Sequence, residues 1–278
     1  MSVTMPIFSR AWSTVTVKPC SHVAASSITT AQPWTTSLRF PSRPRRARVY
    51  RTRAEVRYRP TCSAVHETFG FSRDIYSTEN SVYTQKRSVP KEVQELRELL
   101  EVVGDFSSTS VFNVTDLDMN KLQLREYGVP DGPQLVAFEK DVAMLVKDFA
   151  VLTGLEKVAV QVTLTRGTMC SKLHVDNVGL RLLRTYFGPG TEWVASPALS
   201  RVLSESLRFG GNSITDALKA LVSTISPIER AEQGEVVLLK GQAFPGAMGR
   251  AIVHRSPLLS SSEQGQLRLL VKIDDFME

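Results

Sequence analysis

Residues 157–166 read KVAVQVTLTR. Val158, Val160, Val162 and Leu164 alternate with smaller or polar residues, the pattern of a half-buried strand. The stretch just before it keeps a different period. In PQLVAFEKDVAMLVKDFAVLT (133–153), Val142, Leu145, Val146, Phe149 and Leu152 recur at helical spacing. Pro133 suits the first helical position and Gly154 suits the exit. The change from a period of 3.6 to a period of two at Gly154 decides the fold class.

Working outward, KEVQELRELLEVV (91–103) predicts another amphipathic helix, opened by Pro90 and stopped by Gly104. Residues 116–127 suggest a further short helix. On the other side, KLHVDNVGLRLLRTYFG (172–188) predicts one long bent strand, or two strands divided near Gly179. EVVLLKG (235–241), AIVHRSP (251–257) and QLRLLVKID (266–274) predict three more. Residues 197–225 read as a helical or irregular insertion between strands. Helices come first, then an antiparallel-looking strand set without internal repeats, which argues for an α+β fold with a barrel or sandwich core. Residues 55–89 show little periodicity and are expected to form a linker or extended arm, leaving 90–278 as a single domain.

Charge separates the N-terminus from the rest. Residues 1–54 hold nine of the 34 basic residues and no acidic one; the first carboxylate is Glu55. The remaining 25 basic residues face all 28 acidic ones, a net of −3. The basicity therefore belongs to a leader, and the mature domain is not expected to bind nucleic acid. The leader contains SSITTAQPWTTS (26–37) and ends in RFPSRPRRARVYRTRA (39–54). Ser-rich, Arg-rich and acid-poor composition marks an organelle transit peptide, with the import machinery as its partner. Its hydroxyl-rich early part favours the chloroplast over the mitochondrion. A basic tail that binds RNA or membrane is the bland alternative. No apolar run approaches the roughly 18 residues of a membrane helix, and no membrane partner is expected. Cys20, Cys62 and Cys170 show no metal-type pairing and no disulfide framework.

Four histidines are present. His22 falls in the leader and His66 in the arm, so His174 and His254 remain for the predicted strands. His174, in TMCSKLHVDN (168–177), stands two residues before Asp176; in a strand both side chains would share one face. His254 follows 78 residues after Asp176. Two imidazoles and one carboxylate form the set that holds non-haem Fe(II) on one face and leaves the opposite positions open. A hydrogen-bonded strand pair is the plainer alternative. Cys170 shares the parity of His174, four residues earlier, and would reach the metal as a thiolate only if the chain turned there. Arg268, 14 residues after His254, is a candidate to fork onto the carboxylate of an oxoacid, or is an exposed strand charge. Arg181 and Arg184 are further candidates for acid binding, or lie on a salt-bridged strand face. Arg255, beside His254, should point away from a metal, towards a carboxylate such as Glu192. GPGTEW (188–193) lacks phosphate-loop spacing and reads as a rigid turn, with Trp193 as a lid or in the core. No G-x-S-x-G elbow accompanies the serines near 260.

The segments MCSKLHVDNVGLRLLRTYFGPGTEWV (169–194), GEVVLLKGQAFPG (234–246), GRAIVHRSP (249–257) and QLRLLVKID resemble the bacterial and algal family called domain of unknown function 1826, over roughly residues 90–275. The family's H-x-D…H arrangement is in turn similar to the double-stranded β-helix of 2-oxoglutarate/Fe(II) oxygenases. The resemblance implies N-terminal helices packed on an antiparallel double-stranded β-helix (jelly-roll or cupin-like) core. It implies His174, Asp176 and His254 as ligands to Fe(II), with Cys170 as an extra ligand. Arg268 is the implied anchor for 2-oxoglutarate, ahead of Arg181 and Arg255. The implied activity is oxoacid-dependent hydroxylation of a small or unidentified substrate. The rival is a non-catalytic zinc or metal-homeostasis protein that uses Cys170 to close the site.

Overall fold

The computed structural model describes residues 70–210, 227–246 and 250–276. The chain divides into two units, Met1–Tyr50 and Arg51–Glu278. The first, the whole of the expected leader at 1–54, and residues 211–225 of the expected insertion lie outside the described residues.

Among the described residues nine strands form two antiparallel sheets. The main sheet holds β1 (Val82–Gln85), β2 (Phe106–Asn113), β3 (Lys157–Thr165), β4 (Leu180–Phe187), β7 (Val236–Lys240) and β9 (Arg268–Asp275), in the order β1-β7-β4-β9-β3-β2. The smaller sheet holds β5 (Glu192–Val194), β6 (Ile228–Arg230) and β8 (His254–Arg255), in the order β6-β5-β8. Among the described residues three α-helices accompany them: α1 (Lys91–Leu100), α2 (Pro133–Thr153) and α3 (Pro197–Gly210).

Strand alternation turns the main sheet into a partition. Val158, Val160, Val162 and Leu164 of β3, with Leu269, Val271 and Ile273 of β9, face a core shared with α1 and α2. The helices contribute Val93, Leu96 and Leu100, and Leu135, Phe138, Val142, Leu145 and Phe149. Each buried set recurs every three or four residues, which keeps it on one helical stripe. Helix α2 begins on Pro133 and ends at Gly154, whose φ of 70° lets its N–H close on Ala150 O at 2.7 Å. On the opposite face, Leu183, Val237, Leu239 and Leu270 meet Trp193, Ala231 and Ile252 from the region of the smaller sheet. Strand β7 is buried along its whole length because both of its faces are covered. Among the described residues no helix is long and apolar enough to cross a membrane.

The sequence-based elements differ from the structure in five places. Residues 116–127 form two 3-10 turns, Met119–Leu122 and Leu124–Tyr127, in place of one helix. AIVHRSP yields a strand of only two residues, and His174 makes a single bridge instead of opening a strand. Strand β2, FSSTSVFN, escaped the hydrophobic pattern because two of its alternate positions are serines. Ser108 and Ser110 donate to the carbonyls of Leu122 and Lys121, so the main-chain turns satisfy their hydroxyls. Within the stretch 55–89, the described part carries a 3-10 turn, Arg73–Tyr76, and the edge strand β1, paired antiparallel with β7.

The GPG turn (188–190) joins the two sheets. A Cβ on Gly190 would lie 2.1 Å from Ala231 O, so only glycine permits the approach. Glu192 is buried beyond it and accepts Arg230 (2.6 and 2.9 Å) and Arg255 (2.7 Å), tying β5, β6 and β8 together.

Candidate metal centre

His174 and His254 are brought together by their own main chains. His174 N donates to His254 O at 2.9 Å, and His254 N donates to His174 O at 3.0 Å. A reciprocal antiparallel pair sets two side chains side by side, and the imidazole centroids stand 4.5 Å apart. Beyond the bridge the chain folds back over Gly241. Asp176 O accepts Gln242 N at 2.8 Å, and Gly241 N donates to Gly179 O at 2.9 Å. A Cβ on Gly241 would sit 2.1 Å from Val178 O. Asp275 closes the loop by accepting Gly179 N at 3.0 Å.

This loop turns Asp176 towards both rings. Its Oδ2 lies 3.0 Å from His254 Nε2, and its Oδ1 lies 3.7 Å from His174 Nε2. One ligand atom from each of the three residues falls within 4.8 Å of the others. The other imidazole nitrogens face carbonyls. His174 Nδ1 is 2.9 Å from Lys172 O, and His254 Nδ1 is 3.3 Å from Ile252 O. A carbonyl only accepts, so Nδ1 carries its proton there, and Nε2 is the nitrogen turned to Asp176, where a metal would take the place of the His254 Nε2–Asp176 contact.

Charge reinforces the arrangement. Burial opposes ionisation of Asp176, but His254, Arg181 and His174 outweigh it and hold the carboxyl far below the usual range. Burial, and then His254, pushes the His174 imidazole down towards its neutral form. His254 is nearly enclosed at 4 % side-chain exposure and Asp176 shows 13 %, while His174 is open at 31 %.

The remaining expected residues separate into distinct roles. Cys170 Sγ sits 3.8 Å from His174 Nδ1, on the ring's protonated side, and its thiol donates to Lys172 O at 3.8 Å. It is outside the set that converges on Asp176, so the described residues form a three-donor group and not a closed four-donor one. Arg181 is committed to carboxylates and does not offer a free fork. Its Nε and Nη2 donate to Asp274 at 2.6 and 2.7 Å, and its Nη1 closes on Asp176. Arg184 is fully buried on the helix side of β4, paired with Asp141 and with Gly234 O and Ser88 O. Arg255 turns to Glu192, as strand alternation requires. Trp193 is buried and donates to Glu229 at 2.8 Å.

Arg268 differs from these. It is 2 % exposed. Its Nε donates to Pro189 O at 2.8 Å, and Nη1 reaches only the Met169 sulfur at 3.9 Å. Nη2 is buried without a hydrogen-bond partner. Burial pushes the guanidinium down to about 10, so it is still a cation at neutral pH. Arg268 and the two histidines line one cleft of about 200 Å³, with Gln161, Leu270 and Lys272. Asp274 and Lys272 went unnoticed in the sequence, although the alternation of RLLVKIDD puts both on the face of Arg268.

A model of the family described as "Protein of unknown function (DUF1826)" matches residues 69–274. The chain belongs to that family. No curated protein matches the sequence. Several solved structures are similar to it at a distance. A dioxygenase for auxin oxidation in rice aligns over 73 % of this chain and 75 % of its own, at 12 % identity and a TM-score of 0.41. A Pseudomonas putida prolyl-4-hydroxylase aligns over 73 % and 95 %, at 11 % identity and a TM-score of 0.35. An Fe(II)/α-ketoglutarate-dependent dioxygenase aligns over 73 % and 83 %, at 12 % identity and a TM-score of 0.37.

Proposed function

We propose that the domain is a double-stranded β-helix that binds Fe(II) through His174, Asp176 and His254 and uses a 2-oxoacid such as 2-oxoglutarate as co-substrate. The order of strands supports the fold. Along the chain, β3, β4, β7 and β9 enter the main sheet, alternating with the His174 bridge, the pair β5 and β6, and β8 in the smaller one. In space they give β7-β4-β9-β3 against β6-β5-β8 with the His174 bridge added at β8, the arrangement of two closed half-rolls.

The observation that carries the reading is the pairing of a three-donor set with an unsatisfied cation in the same cleft. Two imidazoles and one carboxylate suit Fe(II) and leave coordination positions open. Once bound, iron would let O₂ oxidise the oxoacid to CO₂ and the shorter acid, with the second oxygen atom going into a substrate C–H bond. The protein's part is positional. Lys172 O and Ile252 O hold the imidazole tautomers, and Arg181 holds the Asp176 carboxylate in its ionised form. Arg268 offers Nη2 to an acid that replaces its missing hydrogen bond, a role for which a buried guanidinium fork is suited.

The rival zinc reading needs Cys170 as a fourth donor, and the position of the thiol behind His174 weighs against it. Metal content after anaerobic purification tests both. Iron near one per chain, retained in Cys170→Ala and lost in a folded His174→Ala, supports the proposal. Zinc that disappears with Cys170 would replace it with the metal-handling role.

A further inference from the structure

The cleft holds more positive charge than an oxoacid needs. Four cations line it: Arg181, Arg255, Arg268 and Lys272. Three carboxylates answer them, Asp176 and Asp274 on Arg181 and Glu192 on Arg255. One positive charge is left over; a divalent metal raises the excess to three. A dicarboxylate takes two of these, and the residual positive charge at the cleft favours a further anion.

The leftover charge has a location. The carboxylate nearest Lys272 Nζ is Asp274, at 3.8 Å, and the charges of Arg181 and Asp176 also act on it. Asp274 is already spent on the two donors of Arg181. Lys272 is 27 % exposed and stands opposite Gln161 across the β3–β9 pair. It follows Arg268 by four residues on the same strand face, roughly 13 Å further along β9 at ordinary strand rise. Leu270 lines the cleft between them. The two cations are therefore separate docking points at opposite ends of one floor.

We propose that Lys272, with Gln161 beside it, is a second anion subsite that receives an acidic group, carboxylate or phosphate, of the prime substrate. The substrate is then an acid and not a neutral or basic molecule. This rests on the assignment of Arg268 to the oxoacid, and the test separates the two.

The probe is the reactivity of the lysine amines. The full chain, loaded with Mn(II) under anaerobic conditions, receives a brief pulse of acetic anhydride, and acetylation at each lysine is read by peptide mass spectrometry. Lys86, 77 % exposed, serves as the internal reference. Saturating 2-oxoglutarate should leave Lys272 labelling unchanged. Inorganic sulfate added on top, at ionic strength matched with sodium chloride, should reduce it about threefold, as expected for an anion at twice its dissociation constant. Protection of Lys272 by 2-oxoglutarate itself would overturn the proposal, because Lys272 would then be the co-substrate's own anchor. Equal labelling of Lys272 and Lys86 with and without sulfate would overturn it too. Calorimetry on the same sample reads the other assignment: if 2-oxoglutarate gives no heat while sulfate still protects Lys272, the oxygenase reading falls and the anion subsite stands.

Discussion

Replacing Arg268 with methionine should make the metal-free protein no less stable while disabling its binding of oxoacid. The guanidinium is pushed by burial from an ordinary 12.5 to about 10. At about 1.4 kcal/mol per tenfold change in that equilibrium, holding the ionised form inside costs about 3 kcal/mol. Its compensation in the protein is one charged hydrogen bond to Pro189 O, worth about 1.5–3 kcal/mol. Nη2 contributes nothing, since it has no partner. Methionine fills a similar length without charge, so the Arg268→Met change should range from neutral to about 1.5 kcal/mol stabilising. For a domain of this size that is a rise in Tm of up to about 5 °C. The opposite effect is expected on the ligand. Losing a desolvated guanidinium–carboxylate pair costs about 2–5 kcal/mol, so affinity for 2-oxoglutarate should fall by a factor of about 30 or more. Calorimetric melts of the metal-free protein and titration of 2-oxoglutarate into its Mn(II) form measure the two. A Tm drop equivalent to about 2 kcal/mol, with oxoacid binding intact, would show that Arg268 is a structural residue and refute the reasoning.

Four other outcomes are expected. Asp274→Asn removes the charge and one of the two short contacts from the mostly buried Arg181 but leaves it Asp176; denaturant melts should register a loss of about 3 kcal/mol, the lower end for breaking a buried pair. Gly241→Ala forces a Cβ against Val178 O in the loop that carries Asp176, and iron content should collapse while circular dichroism keeps its native shape. Lys240 is buried, and its amine is lowered from 10.5 to about 8 by burial and by Arg250. Above pH 8 the unfolded chain holds more protons than the folded one, so stability should climb between pH 8 and 10.5, by at most about 2 kcal/mol at pH 9.5, and Lys240→Met should flatten that slope in urea melts. Residues 1–54 fused to a fluorescent protein should send it to the chloroplast; a diffuse signal would remove the transit-peptide reading.

Where side-chain periodicity and burial agreed, the sequence was sufficient. Helix α2 and strands β3, β7 and β9 were legible because each has a covered face whose apolar residues recur at its own period. The three donors were legible for a chemical reason: outside the leader and the arm only two histidines exist, and one sits beside an aspartate. The same local logic misjudged their setting. The H-x-D segment was expected to use strand parity, yet its geometry comes from one reciprocal bridge and a loop folded over Gly241. That contact joins residues more than 60 positions apart, and no period within either segment encodes it.

The arginines divide along the same line. From the sequence, Arg255 was expected to turn to Glu192 and Arg268 was placed ahead of Arg181, but nothing within their own strands told which of Arg181, Arg184 and Arg268 is free of carboxylates. Which of them is free depends on where carboxylates from other elements arrive. Asp274 reaches Arg181 across β9, Asp141 reaches Arg184 from α2, and Glu192 reaches Arg255 across β5. Arg268 meets only a carbonyl and a sulfur. Composition and spacing thus pointed to the fold class and the candidate donors, because those follow from local patterns and the chemistry of single side chains. The tertiary structure decided which cation remains available, because pairing between charges is a property of distance in space.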